Sequence, residues 1–353
     1  MKTSINYVIE RSTRASRIGL IIGLAVCGLL VSLPYWAEAS TLRLLVEFMC
    51  YLVLAQMWNL LAGYGGLISI GQQAFIGIGG YGLFLMANHA NMNPFIAVLV
   101  GGIIAAILAV PTAKVVFRLR GGYFAVGTWV VAEVYRLAVS NVQLVGGGSG
   151  QSLTAMNGIP KASRESITFW IASAMAIASI ALVYWLLRSR FGVALTAIRD
   201  SEAASESQGV DVEKVKFYVY VLSAFGSGLV GALYYLNVLR IAPNSAFDLS
   251  WVVSAIFIVV IGGIGSIEGP ILGTLIFFLM RELLSDYGSW YLMVMGLVAI
   301  IVMIKWPKGI WGFVQQRFDL RFFPVQRRVC LIDLPLASRS LSEEPHLQAN
   351  DSK

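Results

Sequence analysis

Strongly apolar runs separated by short polar seams fill most of this chain, at residues 18–33, 43–62, 67–88, 94–117, 121–139, 167–187, 217–239, 250–280 and 289–304. A helix needs about 20 predominantly apolar residues to cross the hydrocarbon of a bilayer, so each run reads as a membrane-spanning helix. The run at 250–280 is divided by the segment GGIGSIEGP, in which Gly262, Gly263, Gly265, Ser266, Gly269 and Pro270 argue for a real break. Near the membrane surface that break is a tight turn between two crossings. At membrane depth it is a re-entrant segment, whose backbone only protein or a water-filled cavity can satisfy. The turn makes the count even, at ten crossings. The expected fold is an all-α polytopic membrane protein of about ten transmembrane helices with a short cytoplasmic helix between two of them.

That short helix belongs to the longest polar interlude between apolar segments, RSRFGVALTAIRDSEAASESQGVD at 188–211. Val193, Ala197, Ser201, Ala204 and Gln208 recur at three- and four-residue intervals and put small residues on one helical face, opposite Arg199, Glu202 and Glu206. Gly209 supplies a left-handed stop, so one helix ending near Gln208 is expected. Such a helix can press its small-residue side against a partner while the charged side stays wet; a solvated loop helix without a partner is the alternative. The chain then divides into a polar N-terminal segment (1–17), a membrane domain (18–313) containing the loop 188–216, and a basic tail (314–353).

Composition agrees with the pattern. Hydrophobic residues make up 58% of the 353 and charged residues only 13%, about half the charged share of a soluble domain. The net charge of +7 could point to nucleic acid, but placement decides otherwise. With the amino terminus inside, ten crossings put 20 of the 26 Lys and Arg on the inner side and 6 outside; without the eight from Lys305 onward the bias is still 12 to 6. The positive-inside rule thus accounts for the charge, places both termini and the loop 188–216 in the cytoplasm, and makes the lipid bilayer the partner in place of nucleic acid. Residues 37–39 (Ala-Glu-Ala) imitate a signal-peptidase site after the first apolar run, which keeps a cleaved signal open as an alternative. The tail reads as a solvated cytoplasmic extension able to meet anionic lipid. Cys27, Cys50 and Cys330 show no disulfide or metal spacing, and His89 and His346 form no cluster.

Catalytic signatures are missing. There is no G-x-x-x-x-G-K-[ST] phosphate loop, no H-E-x-x-H and no G-x-S-x-G, so the chain is not expected to hydrolyse ATP, bind a metal or act as an enzyme. Polar residues within apolar spans are the functional candidates instead, because a bilayer makes them costly. Glu47, Gln56, Asn59, Ser69, Gln72, Gln73, Glu133 and Arg136 qualify. Glu133 and Arg136 are one turn apart and are expected to pair. Asn59, Ser69, Gln72, Gln73 and Glu133 are the candidates for lining a solute path, with helix-to-helix hydrogen bonding as the competing role of the amides.

Several stretches resemble the LivM-type permeases of ATP-driven branched-chain amino-acid importers. The loop carries Arg188, Gly192, Ala194, Leu195, Ala197, Ile198, Arg199, Asp200, Glu202, Ala204 and Gly209 at the positions of that family's ATPase-coupling segment. GYGGLISIGQQAFIGIGGYG (63–82), RLRGGYFAVGTWVVAEV (118–134), GGIGSIEGPILGT (262–274) and WPKGIWG (306–312) are similar to four further family motifs, in the family's order, so that the resemblance covers most of 43–313. Two departures, Gln72 where many members have histidine and a periplasmic glycine loop without its closing G-L, bear on the solute and not on the fold. The resemblance implies a bacterial inner-membrane permease subunit that imports branched-chain or related amino acids. It also implies a LivH-type permease, two ATP-binding subunits that use ATP and Mg, and a periplasmic solute-binding protein as partners. Ion-gradient-driven secondary transport, with Glu47 and Glu133 as its only plausible ionisable groups, and import of urea, amides or another small organic solute are the rival readings.

Overall fold

The computed structural model describes residues 7–10, 23, 25–284, 290–318, 322–323 and 328–331. From Ala39 onward, thirteen α-helices are present among them. In chain order they are α1 (Ala39–Asn59), α2 (Gln72–Asn88), α3 (Pro94–Val116), α4 (Gly122–Ser140), α5 (Lys161–Arg188), α6 (Arg190–Asp200), α7 (Glu202–Ser207), α8 (Val212–Val238), α9 (Pro243–Ala246), α10 (Ser250–Gly262), α11 (Glu268–Leu284), α12 (Trp290–Lys305) and α13 (Gly309–Phe318). A shorter apolar helix, Ala25–Tyr35, precedes α1. The remainder of the first apolar run, most of 1–17 and most of the tail lie outside the described residues.

Six described stretches are long and apolar enough to cross a membrane: Ala39–Tyr64, Pro94–Val116, Lys161–Arg188, Val212–Val238, Pro243–Gly262 and Met293–Phe318. The other expected crossings are helical but fall short. α2 and α11 have 17 residues each, and Glu133 and Arg136 dilute the hydropathy of α4. The expected helix at 67–88 begins only at Gln72. Residues 65–71 leave helical geometry because Gly66 takes a left-handed φ of +69° and the Ile70 N–H turns to the Thr128 hydroxyl at 3.1 Å.

α2, α3 and α8 form the centre of the bundle, with α1 packed between α8 and α5 and the α10–α11 pair against α1. Glycine sets the central spacing. A Cβ on Gly79 would collide with the backbone of Gly228, and one on Gly231 with the carbonyl of Ile76, so the GIGGYG run of α2 and the glycines Gly228 and Gly231 of α8 form a contact face. Buried aromatic pairs fill in around it, Phe75 against Tyr220 and Tyr81 against Phe247. Ion pairs tie α1 to its flanks: Arg43 Nε donates to Glu165 at 3.0 Å, and Arg281 clasps Glu47 at 2.7 and 2.9 Å.

The two ends of the bundle differ. At one end a two-residue ladder (β2, Gln151–Ser152, with β3, Arg240–Ile241) and the Asn88 side chain hold the glycine loop 146–150 against the α8 terminus. The polar loop between α5 and α8 occupies the other end. Strands β1 (Tyr7–Glu10) and β4 (Arg328–Leu331) pair antiparallel, which puts the two terminal segments side by side.

A candidate coupling junction

α1 does not stop at Asn59. Its last residues, Leu60–Tyr64, widen into a π-helical turn, a geometry that loosens the regular ladder and is frequent at functional sites. The segment 263–267 docks on that turn. Asn59 Nδ2 donates to the Ser266 carbonyl at 2.8 Å, and its Oδ1 accepts the Gly265 N–H at 2.8 Å. One turn earlier, Gln56 Nε2 donates to the Ile267 carbonyl at 2.8 Å. Gly63 must be glycine here, since a Cβ would meet both the Asn59 amide and the Gly265 backbone.

The glycine-rich break is therefore a turn between the paired helices α10 and α11, level with the end of α1 that faces the polar loop. Gly263 (φ +134°) and Gly265 (φ +74°) give it its shape. Gly262 closes α10, Gly269 and Pro270 sit in the first turn of α11, and the Ser266 hydroxyl bridges the Gly263 carbonyl at 2.8 Å and the Gly269 N–H at 3.1 Å. From the far side the WPKGIWG segment closes in, Gly309 (φ +70°) lying directly on the Gly263 backbone. Glu268 accepts the Phe323 N–H at 3.0 Å, and the Phe323 ring packs on Tyr184 of α5.

The polar loop reaches this junction through Arg199. Its Nη1 donates to the Gly63 carbonyl at 3.0 Å, while Nε and Nη2 hold the Asp200 carboxylate at 3.1 and 3.0 Å. A cation at the carbonyl end of α1 also suits the helix dipole. Leu195 and Ile198 are buried beneath α6, and Gly192 lies so close to Leu187 that a Cβ would strike its backbone.

The loop is not the single helix expected. It breaks at Ser201, whose extended backbone (φ −162°, ψ 113°) ends α6 and whose hydroxyl caps α7 by accepting the Ala204 N–H at 3.3 Å. The expected small-residue face is split accordingly. Gly192, Leu195 and Ile198 face this chain's own helices; Val193, Ala204 and Gln208 are exposed, Val193 at 68%, and Ala194 and Ala197 are half-buried. Glu202 pairs with Lys216 of α8, which ties α7 to that helix. Gly209 does take the left-handed conformation, at φ +83°. Arg188 ends α5 exposed, its Nη1 on the Tyr184 hydroxyl at 2.8 Å. Asp211 caps α8 by accepting the Lys214 N–H at 3.1 Å, and the Lys214 ammonium with that bond holds its carboxyl below the usual carboxylate range.

The candidates for a solute path fall in two places. Ser69, Gln72 and Gln73 are buried together where the non-helical segment enters α2. Trp58 Nε1 donates to the Ser69 carbonyl at 2.9 Å, and Ser227 of α8 donates to Gln72 Oε1 at 2.9 Å, but Gln72 Nε2 and Gln73 Oε1 have no protein partner among the described residues. Glu133 stands apart on the outward face of α4, paired with Arg136. Asn59 is committed at both amide ends to the turn. Sequence reasoning missed Thr128, Ser223 and Ser227, buried hydroxyls that support this centre; Thr128 was visible only as the final T of the RLRGGYFAVGT run.

Comparison with known proteins adds the family. The model for the permease component of branched-chain amino acid transport systems matches residues 40–303, from the start of α1 almost to the end of α12. The chain belongs to this permease family. It is a multi-pass membrane protein and a non-catalytic transmembrane subunit. It is similar to the high-affinity branched-chain amino acid permease LivM of Escherichia coli strain K12, at 25% identity over 339 residues, which cover 89% of this chain and 79% of that protein. The probable LivM of Methanocaldococcus jannaschii is 24% identical over 243 residues, 63% of this chain and 69% of its own. The fructose import permease FruG of Bifidobacterium longum matches a shorter portion, 28% identical over 155 residues, 41% of this chain and 45% of its own. No solved structure matches. In this permease, four of the five sequence motifs, as far apart along the chain as Gly63 and Gly309, meet at the junction around Gly63, Arg199, Gly265 and Gly309.

Proposed function

We propose that this permease is the membrane half of an ATP-driven importer of branched-chain or related aliphatic amino acids. The single observation that carries the reading is the Arg199 to Gly63 hydrogen bond, because it joins an exposed loop to the turn where α1, the α10–α11 break and the closing motif meet. In this account ten helices cross a bacterial inner membrane with both termini inside, a topology that the pairing of the terminal strands favours. Two ATP-binding subunits, using ATP and Mg, dock on the exposed side of α6 and α7, around Arg188, Val193, Ala197 and Ala204. Their closure moves α6, and Arg199 passes the movement to α1. A second, LivH-type permease completes the path, and a periplasmic binding protein delivers the solute. Coupling of this kind requires a contact that differs between motor states, since a contact equal in both shifts nothing. Ser69, Gln72 and Gln73 are the neutral groups proposed to line the closed centre, where amides and hydroxyls can pass a zwitterion without trapping it.

The test is uptake into vesicles that carry the permease with its partner subunits and binding protein, comparing ATP with an imposed ion gradient. ATP-dependent, gradient-independent uptake of leucine, isoleucine or valine is expected. Uptake driven by a gradient without the ATP-binding subunits would overturn the reading, and ATP-driven uptake of another solute would replace the cargo alone.

A further inference from the structure

α4 buries a narrow stripe, Phe124, Thr128 and Ala132, and turns the rest of its surface outward. That outward surface is apolar along Val126, Val130, Val134 and Leu137, yet it carries Glu133 and Arg136 in its midst. Arg136 Nε lies 2.9 Å from both Glu133 oxygens, its Nη2 also meets Oε1, and its Nη1 donates to Asn244 Oδ1 of α9 at 2.8 Å. An ion pair facing hydrocarbon is costly, so this face belongs against protein or water, and such pairs mark solute routes. The pair is held by another element yet not used up. Of the five N–H groups of a guanidinium three are committed here, which leaves two without a partner among the described residues. Both side chains are open, with exposures of 47% for Glu133 and 26% for Arg136. The pair lies roughly 6–10 Å along the helix from Ser140, at the end where the glycine loop sits.

We propose that Glu133, Arg136 and Asn244 form an entry site for an aliphatic α-amino acid zwitterion at the outer mouth of the permease. The solute's carboxylate takes the fork of Arg136, its ammonium takes Glu133, and its side chain rests on Val130, Val134 and Leu137. Charge complementarity selects the class: a neutral pair exchanges its internal partner for a neutral zwitterion with no net charge moved, whereas a sugar or a lone anion satisfies only part of it. Asn244 is a positioning residue that keeps the guanidinium in place while its carboxylate partner changes. The inference rests on the function proposed above.

A double-substitution cycle in reconstituted vesicles tests it, with L-leucine as the probe and the permease, partner permease, ATP-binding subunits and binding protein all present. The variants are Glu133→Gln, Arg136→Gln, the two combined, and Arg136→Lys. If the pair only stabilises itself, each single change is harmful and the combination recovers. If the pair receives the solute, the combination stays at least tenfold below wild type in initial uptake while still co-purifying with its partner subunits, and Arg136→Lys keeps part of the rate. Recovery of the combined variant to more than half the wild-type rate would overturn the entry site. So would loss of co-purification, which would make the pair a subunit contact. Wild-type vesicles that do not import leucine on ATP would refute the proposed function itself, and the entry site would fall with it.

Discussion

Replacing Asn59 by alanine removes both bonds that fasten the 263–267 turn to α1. The side chain is fully buried, and each bond is 2.8 Å long, so the Gly265 N–H and the Ser266 carbonyl would be left facing a protein interior. An orphaned buried polar group costs about 1–3 kcal/mol, which makes the expected loss roughly 2–6 kcal/mol for the two together. The lower half of that range applies if the turn relaxes toward the space the amide vacates. Asn59→Asp should not rescue it, because a carboxylate keeps the acceptor for Gly265 but opposes the Ser266 carbonyl with a charge. Asn141→Ala is the control, since the Asn141 amide bonds to the Leu137 carbonyl on an exposed helix end. The assay is the thermal midpoint of the purified permease in detergent, followed by solute transported per ATP hydrolysed in the reconstituted complex. Asn59→Ala should lower the midpoint by several degrees and reduce coupling, and Asn141→Ala should do neither. A midpoint and a coupling ratio equal to wild type would refute the reasoning, because the turn would then hold without its anchor.

Gly231→Leu should prevent accumulation of folded protein, as its side chain would enter the backbone of Ile76; normal expression with a normal size-exclusion profile would contradict the close packing of α2 and α8. Ala204→Arg, on an exposed surface, should leave stability unchanged while lowering transport per ATP at least tenfold, read as uptake against phosphate release. Arg281→Met should destabilise by about 3–5 kcal/mol, because it strands Glu47 in a half-buried site, and Arg281→Met with Glu47→Gln should recover much of that in the same thermal assay. The Asp211 cap gives a pH test of known sign. Its folded-state carboxyl titrates below the unfolded value, so its stabilisation is present above the unfolded range and fades as pH falls through the folded one. Asp211→Asn should therefore be less stable than wild type at neutral pH and flatten the acid end of the stability profile, the two proteins converging as pH falls.

Much of this architecture was legible because hydrophobic length and glycine spacing are local signals. The spacing of the GIGGYG run and of Gly226, Gly228 and Gly231 is the kind that permits a close helix contact, and the glycines of 262–269 announced a break, which separates α10 from α11. Hydrophobicity could not show that residues 67–71 stay outside the helix, since LISIG is apolar enough to belong to it; the decision lies with the φ of Gly66 and the hydroxyl of Thr128 on another helix. The break at Ser201 was hidden for a similar reason. Arg199, Glu202, Ala203 and Ala204 around it are good helix formers, and two long-range anchors, Arg199 on Gly63 and Glu202 on Lys216, hold α6 and α7 to different parts of the chain. Glu47 looked like a lone ionisable group in a span, and only the tertiary structure supplies Arg281, 234 residues away. The Glu133 and Arg136 pair, one turn apart, could be read directly, but Asn244 could not.

The measurement closest to the central claim is the number of solute molecules imported per ATP hydrolysed when Arg199 is replaced by alanine. The guanidinium is partly exposed and its other contact is with the neighbouring Asp200, so the fold should survive the change. The account predicts continued ATP hydrolysis with import per ATP reduced at least tenfold, because α6 moves without carrying α1. An Arg199→Ala permease that imports as many molecules per ATP as wild type would contradict it.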